Sequence, residues 1–184
     1  MKFKRFLYLF GLFLLLTLLV AHVGWPQPKP GTNAPVITHS FAVEKGYSGY
    51  TWKIYIEAED PDGDMYKIAS VVHHVGYGDY PTDWIILKPQ YQHQLRGYIQ
   101  WNNLGTRTLY LKDWNQITLK VTIIDQVGNE SNVVVFPFTF APGVKDEYKD
   151  KLPPPFDQGD LPMLGHIDIN IFSPFMGPFD SPVR

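Results

Sequence analysis

Between Trp52 and Glu59 the chain alternates strictly, with Trp52, Ile54, Ile56 and Ala58 set against Lys53, Tyr55, Glu57 and Glu59. A period of two places the apolar set on one face of a strand and the polar set on the other. Ile117, Leu119, Val121 and Ile123 repeat the pattern against Thr118, Lys120 and Thr122. Val133 to Phe140 reads as a third strand, with Pro137 marking an edge or a bulge. Shorter candidates lie at 35–41, 66–75, 84–88, 95–101 and 107–112. Turn signals separate them: Pro61-Asp62-Gly63, Gly76-Tyr77-Gly78-Asp79, Lys88-Pro89, Asn102-Asn103 and Val127-Gly128-Asn129. Roughly seven or eight short strands over about 105 residues predict an antiparallel β-sandwich in an all-β chain.

Composition agrees and removes several functions. Aromatic residues make up 15% of the 184 positions and charged residues only 18%, a balance that suits strands better than helices. Lys and Arg number 16 against 18 Asp and Glu, a net charge of -2. Such a chain has no basic field to hold a nucleic-acid backbone. It contains no Cys, which excludes disulfides, thiolate metal sites, a cysteine nucleophile and a lipidated N-terminal Cys.

The flanks differ from the middle. Lys2, Lys4 and Arg5 precede an apolar run from Phe6 to Val23, closed by Trp25. As a helix this run is about 30 Å long, enough to cross the hydrocarbon core. Phe6, Leu14 and Leu18 would face lipid and Trp25 would sit at the interface. Residues 1–25 are therefore expected to act as a signal anchor, a transmembrane helix contacting the bilayer through residues 6–25. Cleavage after Ala21 or Gly24 would place Leu19 or His22 where a signal peptidase prefers a small residue. A cleaved signal would make the protein secreted. A retained one leaves the N-terminus in the cytoplasm and the rest on the periplasmic or extracellular side, because the cations precede the run. Residues 26–34, with Pro26, Pro28, Pro30 and Gly31, form a stiff spacer. The folded domain is assigned to 35–140 and an extended arm to 141–184, which holds half of the 16 prolines.

Two segments of the domain carry a resemblance. Glu57-Ala58-Glu59-Asp60-Pro61-Asp62-Gly63-Asp64 resembles the junction of the second and third strands in bacterial extracellular immunoglobulin-like, cadherin-like and PKD-like domains. Val121 to Asn132, reading VTIIDQVGNESN, resembles the last hairpin of the same group. The resemblance implies an immunoglobulin-like sandwich over 35–140 and is nearly silent on function. The chain departs from antibody-type domains in lacking the Cys pair and in carrying its Trp on the second strand, at Trp52.

Candidate chemistry is sparse. Asp60, Asp62 and Asp64, with Asp125 from the opposite loop, form a candidate Ca²⁺ ligand set, since Ca²⁺ takes six to eight hard oxygens. The competing reading makes Pro61-Asp62-Gly63 a tight turn capped by Asp60, and it is the preferred one. No other cofactor is implied. His73 and His74 point to opposite faces of a strand and cannot share a metal from there. Neither a His-Glu-x-x-His, a Gly-x-Ser-x-Gly nor a phosphate-binding glycine loop is present, so no catalytic residue is assigned and the chain is read as a non-enzyme. The aromatics, Trp84, Trp101 and Trp114 among them, serve as core, as a protein interface or as a platform for sugar rings.

The arm keeps large apolar residues that disordered segments lack. Phe156, Ile167, Ile169, Ile171, Phe172, Phe175 and Phe179 are its candidate partner contacts. Ile167, Ile169 and Ile171 alternate with Asp168 and Asn170, predicting one short strand over about 165–172. That strand should add to a sheet edge of a partner or, failing that, of its own domain. Truncation after Ala141 is then expected to leave the sandwich folded. Taken together, these features predict a membrane-tethered binding or structural module, an accessory subunit of a larger membrane or envelope protein assembly. A secreted carbohydrate-binding or adhesion module is the alternative.

Overall fold

A computed structural model describes residues 33–46, 50–102, 116–140 and 152–171. The anchor residues Phe6, Leu14, Leu18 and Trp25, residues 26–32 of the spacer, the strand expected at 107–112 and the arm residues Phe172, Phe175 and Phe179 lie outside the described residues.

The described chain is built of strands: β1 (Val36–Ala42), β2 (Lys45–Gly46), β3 (Thr51–Glu59), β4 (Met65–His74), β5 (Gly78–Asp79), β6 (Asp83–Ile86), β7 (Gln94–Asn102), β8 (Gln116–Asp125), β9 (Val134–Phe140) and β10 (Met163–Ile167). One 3₁₀ turn, Pro89–Tyr91, leads into β7. They form two sheets. The first has the order β1-β3-β7-β10 and the second β2-β9-β8-β4, with β5 and β6 sharing the outer edge of β4. The sheets stack face to face, an all-β sandwich. Pro137 sits in β9 opposite Thr118, and among the described residues the outer side of β9 pairs with the two-residue β2. Lacking an N–H, it suits this nearly bare edge.

The alternation read from β3 and β8 is what fills the space between the sheets. Trp52, Ile54, Ile56 and Ala58 meet Ile117, Leu119, Val121 and Ile123 in one buried cluster. At its centre Trp52 packs 4.9 Å from Phe138 and 5.7 Å from Trp101, between ring centroids. Both indoles are fully buried, and each N–H finds a carbonyl: Trp52 donates to Val43 at 3.0 Å and Trp101 to Ile169 at 2.9 Å. Large aromatics enter a core at little polar cost when their N–H is satisfied in this way.

The arm departs from expectation. Residues 152–171 belong to the sandwich, so the fold does not close at residue 140. β10 pairs parallel with the free edge of β7, Gly165 beside Ile99 and Ile167 beside Trp101. The strand starts at Met163, directly after Pro162, whose carbonyl accepts from the Tyr98 N–H at 3.0 Å, and it ends at Ile167 rather than near 172. Leu164, Ile167, Ile169 and Ile171 join the main core, and each buried side chain contributes about 1.5–3 kcal/mol.

Two glycines make this docking sterically feasible. A Cβ on Gly97 would lie 2.5 Å from the Pro162 carbonyl oxygen, and one on Gly165 would collide with the Ile85 side chain. Because Ile85 is in β6, β10 touches both sheets and closes that side of the sandwich. Upstream of β10, Phe156 is buried on the outer face of the first sheet, its ring 5.7 Å from Tyr55, which in turn lies 5.8 Å from Tyr98. Removing residues after Ala141 would uncover the edge of β7 and the outer-face pair of Tyr55 and Tyr98, an arrangement that stands against the expectation that a truncated sandwich stays folded. The physical reason is that, among the described residues, no other strand covers that edge of β7.

Candidate functional site

Strand direction gives the sandwich two distinct ends. β3 runs from Thr51 to Glu59 and β7 returns from Gln94 to Asn102, with Glu59 opposite Gln94 and Thr51 opposite Asn102. The end near Glu59 gathers the loop 60–64 and the loop 126–133. They are joined there by the bond from the Gln126 N–H to the Asp64 carbonyl, 3.0 Å. The candidate metal residues thus do share one end of the fold.

Three of the four carboxylates, those of Asp60, Asp62 and Asp125, are nevertheless engaged by amide groups of the chain. Asp60 is buried and accepts from the N–H of Asp62 at 2.9 Å and of Asp64 at 3.3 Å. Asp125, also buried, accepts from the N–H groups of Val127 and Asn129 at 3.0 and 2.7 Å and from the Asn129 side-chain amide at 2.8 Å. These are turn-closing bonds of the kind short acidic side chains form with backbone two to four residues ahead. Asp62 accepts from the backbone and side-chain amides of Asn33 at 2.7 and 3.1 Å. Among the described residues, no group of three or more His, Asp or Glu is arranged to hold a metal ion. The bonds of Asp60, Asp125 and Asp62 shape two loops and hold Asn33, where the chain enters the described fold, against Asp62.

That point of entry has a counterpart. β10 runs parallel to β7, and Ile169 lies beside Trp101, so the chain leaves the described fold at the Asn102 end. Nine residues of β7 at about 3.3 Å each separate the two ends by roughly 30 Å. The exit end also carries the ring stack of His74, Tyr77 and Tyr80, with Tyr77 and Tyr80 centroids 4.7 Å apart and the His74 Nδ1 3.2 Å from the Tyr80 hydroxyl. Tyr77 and Val75 are both about half exposed there.

The aromatic residues divide between roles. Trp52, Trp101 and Tyr80 are core. Trp84 is 48% exposed on the outer face of the second sheet, with the Lys67 ammonium 4.2 Å from its ring. Trp101 is on an inner face and Trp114 lies outside the described residues, so Trp84 and Trp101 do not form the shared plane that a sugar platform needs. His73 and His74 point oppositely, as a strand requires: His73 is exposed and pairs with Asp79 at 2.8 Å, whereas His74 is fully buried.

Of the candidate partner contacts, Phe156, Ile167, Ile169 and Ile171 are all buried in the chain's own fold. The periodicity that marked them as apolar was real, but their face is covered by β7 and the core. Sequence reading did not find the outer-face cluster of Tyr55, Tyr98 and Phe156. Tyr55 and Tyr98 occupy polar positions in the alternation, and only the arm returning over the sheet makes a second apolar layer there. Burial first, then the neighbouring phenols of Tyr98 and Tyr50, pushes the Tyr55 phenol above its ordinary pKa.

No family model matches the chain, and no curated protein matches it. Among solved structures it is similar to the PKD domain of an M14-like peptidase from Thermoplasmatales archaeon SCGC AB-540-F20, at 18% identity and a TM-score of 0.40. The match covers 60% of this chain and 99% of that one.

Proposed function

We propose that this chain is a membrane-tethered, non-catalytic binding module of the immunoglobulin-like, PKD-like kind. On this reading it is an accessory subunit that holds a larger membrane or envelope protein assembly together on the periplasmic or extracellular side. The observation that carries the proposal is the opposition of the two ends. Asn33, the first described residue and part of the spacer that follows the apolar run, is fixed on Asp62, while the chain leaves beyond Ile171 at the other end of β7. A module tethered at one end and continuing from the far end suits a spacer between the bilayer and a partner. Residues 172–184, with Phe172, Phe175 and Phe179, take the docking role on this reading. Phe156, Ile167, Ile169 and Ile171 instead hold that segment's root.

Gentle solubilisation from native membranes tests the proposal. The full chain should resist carbonate extraction and retain residues 1–25 by intact mass. A chain ending at Ile171 should stay folded and membrane-bound yet lose its co-purifying partner. An intact mass beginning near His22 or Trp25, or equal partner yield from the shortened chain, would overturn it.

A further inference from the structure

Toward the end of the sandwich where Asn33 is held, the outer face of the second sheet leaves large apolar side chains in the open. Trp84 and Ile86, two apart on β6, are both about half exposed, and Tyr66 near the start of β4 is similarly open. Lys67 stands opposite Ile86 in the register and holds its ammonium 4.2 Å from the centre of the Trp84 ring. Lys88, two residues beyond Ile86, is exposed, and so is Lys120 on the same face of β8. Acids are sparse around them. Glu130 lies in the row of Lys67 but two strands across, about 10 Å of sheet. The Asp83 carboxylate accepts from the Asp168 N–H, and Asp79 pairs with His73 toward the other end. Glu57 and Glu59 belong to the other sheet. Single exposed apolar groups are ordinary, but aromatic rings set among lysines are the composition of a membrane–water interface.

We propose that this face seats on the headgroup layer of a bilayer containing anionic lipid, with Trp84 and Ile86 at the acyl boundary and Lys67 and Lys88 against lipid phosphates. The inference rests on the retained tether proposed above and adds a second, reversible contact to it. Chain length brings the face within reach. Residues 26–32 separate Asn33 from Trp25, which closes the apolar run. Fully extended, the stretch from Trp25 to Asn33 spans at most about 28 Å. The Asp62 end is thereby kept close to the surface, while the exit end lies roughly 30 Å away along β7 and stays free for a partner. Charge selects the occupant. A second copy meeting this face across a two-fold axis would bring a lysine-bearing patch against itself, whereas anionic headgroups attract each lysine. The apolar side chains add the area that headgroup attraction alone lacks.

The full chain in lipid nanodiscs, whose two faces are both open to solvent, tests the seating through acrylamide quenching of Trp84. The Trp84 emission is taken as the difference between a chain and its Trp84→Phe counterpart. In discs of phosphatidylcholine and phosphatidylglycerol in about equal parts, Trp84 should be quenched about threefold less in the parent than in an Ile86→Glu/Lys88→Glu variant. Both substituted side chains are exposed, so the variant should melt with the parent in non-ionic detergent. The parent alone supplies a second comparison. Its protection should largely disappear in phosphatidylcholine discs, and also in about 1 M salt, where the screening length is about 3 Å. Equal quenching of parent and variant, or protection indifferent to lipid charge and salt, in chains that co-elute with the discs would overturn the seating and leave the tether standing. A chain that does not co-elute with the discs would overturn both. Protection of Trp84 that grows with protein concentration in detergent would overturn the seating in favour of a second copy.

Discussion

The indole N–H of Trp101 donates to the carbonyl of Ile169, 2.9 Å away and 68 residues further along the chain. This bond ties the C-terminal end of β7 to the segment that follows β10, in the layer where Trp52 and Phe138 also meet. It makes the returning arm part of the core rather than an appendage.

Removing residues after Ala141 should therefore unfold the domain. Losing Leu164, Ile167, Ile169 and Ile171 together costs on the order of 5 kcal/mol or more, comparable with the whole stability of a typical domain at about 5–15 kcal/mol. Trp101→Phe, which removes only the bond and part of the ring, should cost about 1–3 kcal/mol. Urea denaturation followed by tryptophan fluorescence checks both; a truncated chain with an unshifted midpoint would refute the assignment.

Replacing Gly165 by Ala sets a methyl against Ile85, and Gly97→Ala sets one against the Pro162 carbonyl. Each should destabilise by about 1–3 kcal/mol, the usual cost of overpacking. Hydrogen exchange should show the Tyr98 N–H, which donates to Pro162, losing protection first.

Calcium should leave the melting temperature nearly unchanged relative to chelator, because the Asp60 and Asp125 carboxylates are held by their own loops. A ligand that bound the native state would raise the midpoint as its concentration rose. Asp125→Ala should cost about 1–3 kcal/mol regardless of metal, since it leaves the Val127 and Asn129 N–H groups without their acceptor.

Alkaline pH should loosen the outer-face cluster. The folded state raises the Tyr55 pKa above the model-compound value of 10.0. The resulting stability is fully present below that value and is lost as pH rises through the folded pKa. Tyr55→Phe should flatten this loss, and phenolate absorbance should show one tyrosine titrating later in the parent chain than in the unfolded one. Identical alkaline limbs for parent and Tyr55→Phe would contradict the assignment.

Much of the sandwich was legible in the alternation alone. Strands with one buried face must alternate, so β3 and β8 declared their faces residue by residue. The turn-capping role of Asp60 was legible for a similar reason: a short acidic side chain bonds backbone only a few residues ahead, and that is a local relation. Partnerships were not local. Ile167, Ile169 and Ile171 announced an apolar face, but an alternating pattern is the same whether another chain or the same chain covers it. That choice rests on β7 having a free edge, on Gly97 and Gly165 lacking a Cβ, and on Trp101 presenting a donor where the arm arrives. The sequence by itself determined which residues face inward, because side-chain direction follows from backbone geometry. Tertiary structure alone decided what covers them, because that depends on contacts between segments whose separation along the chain leaves no periodic trace.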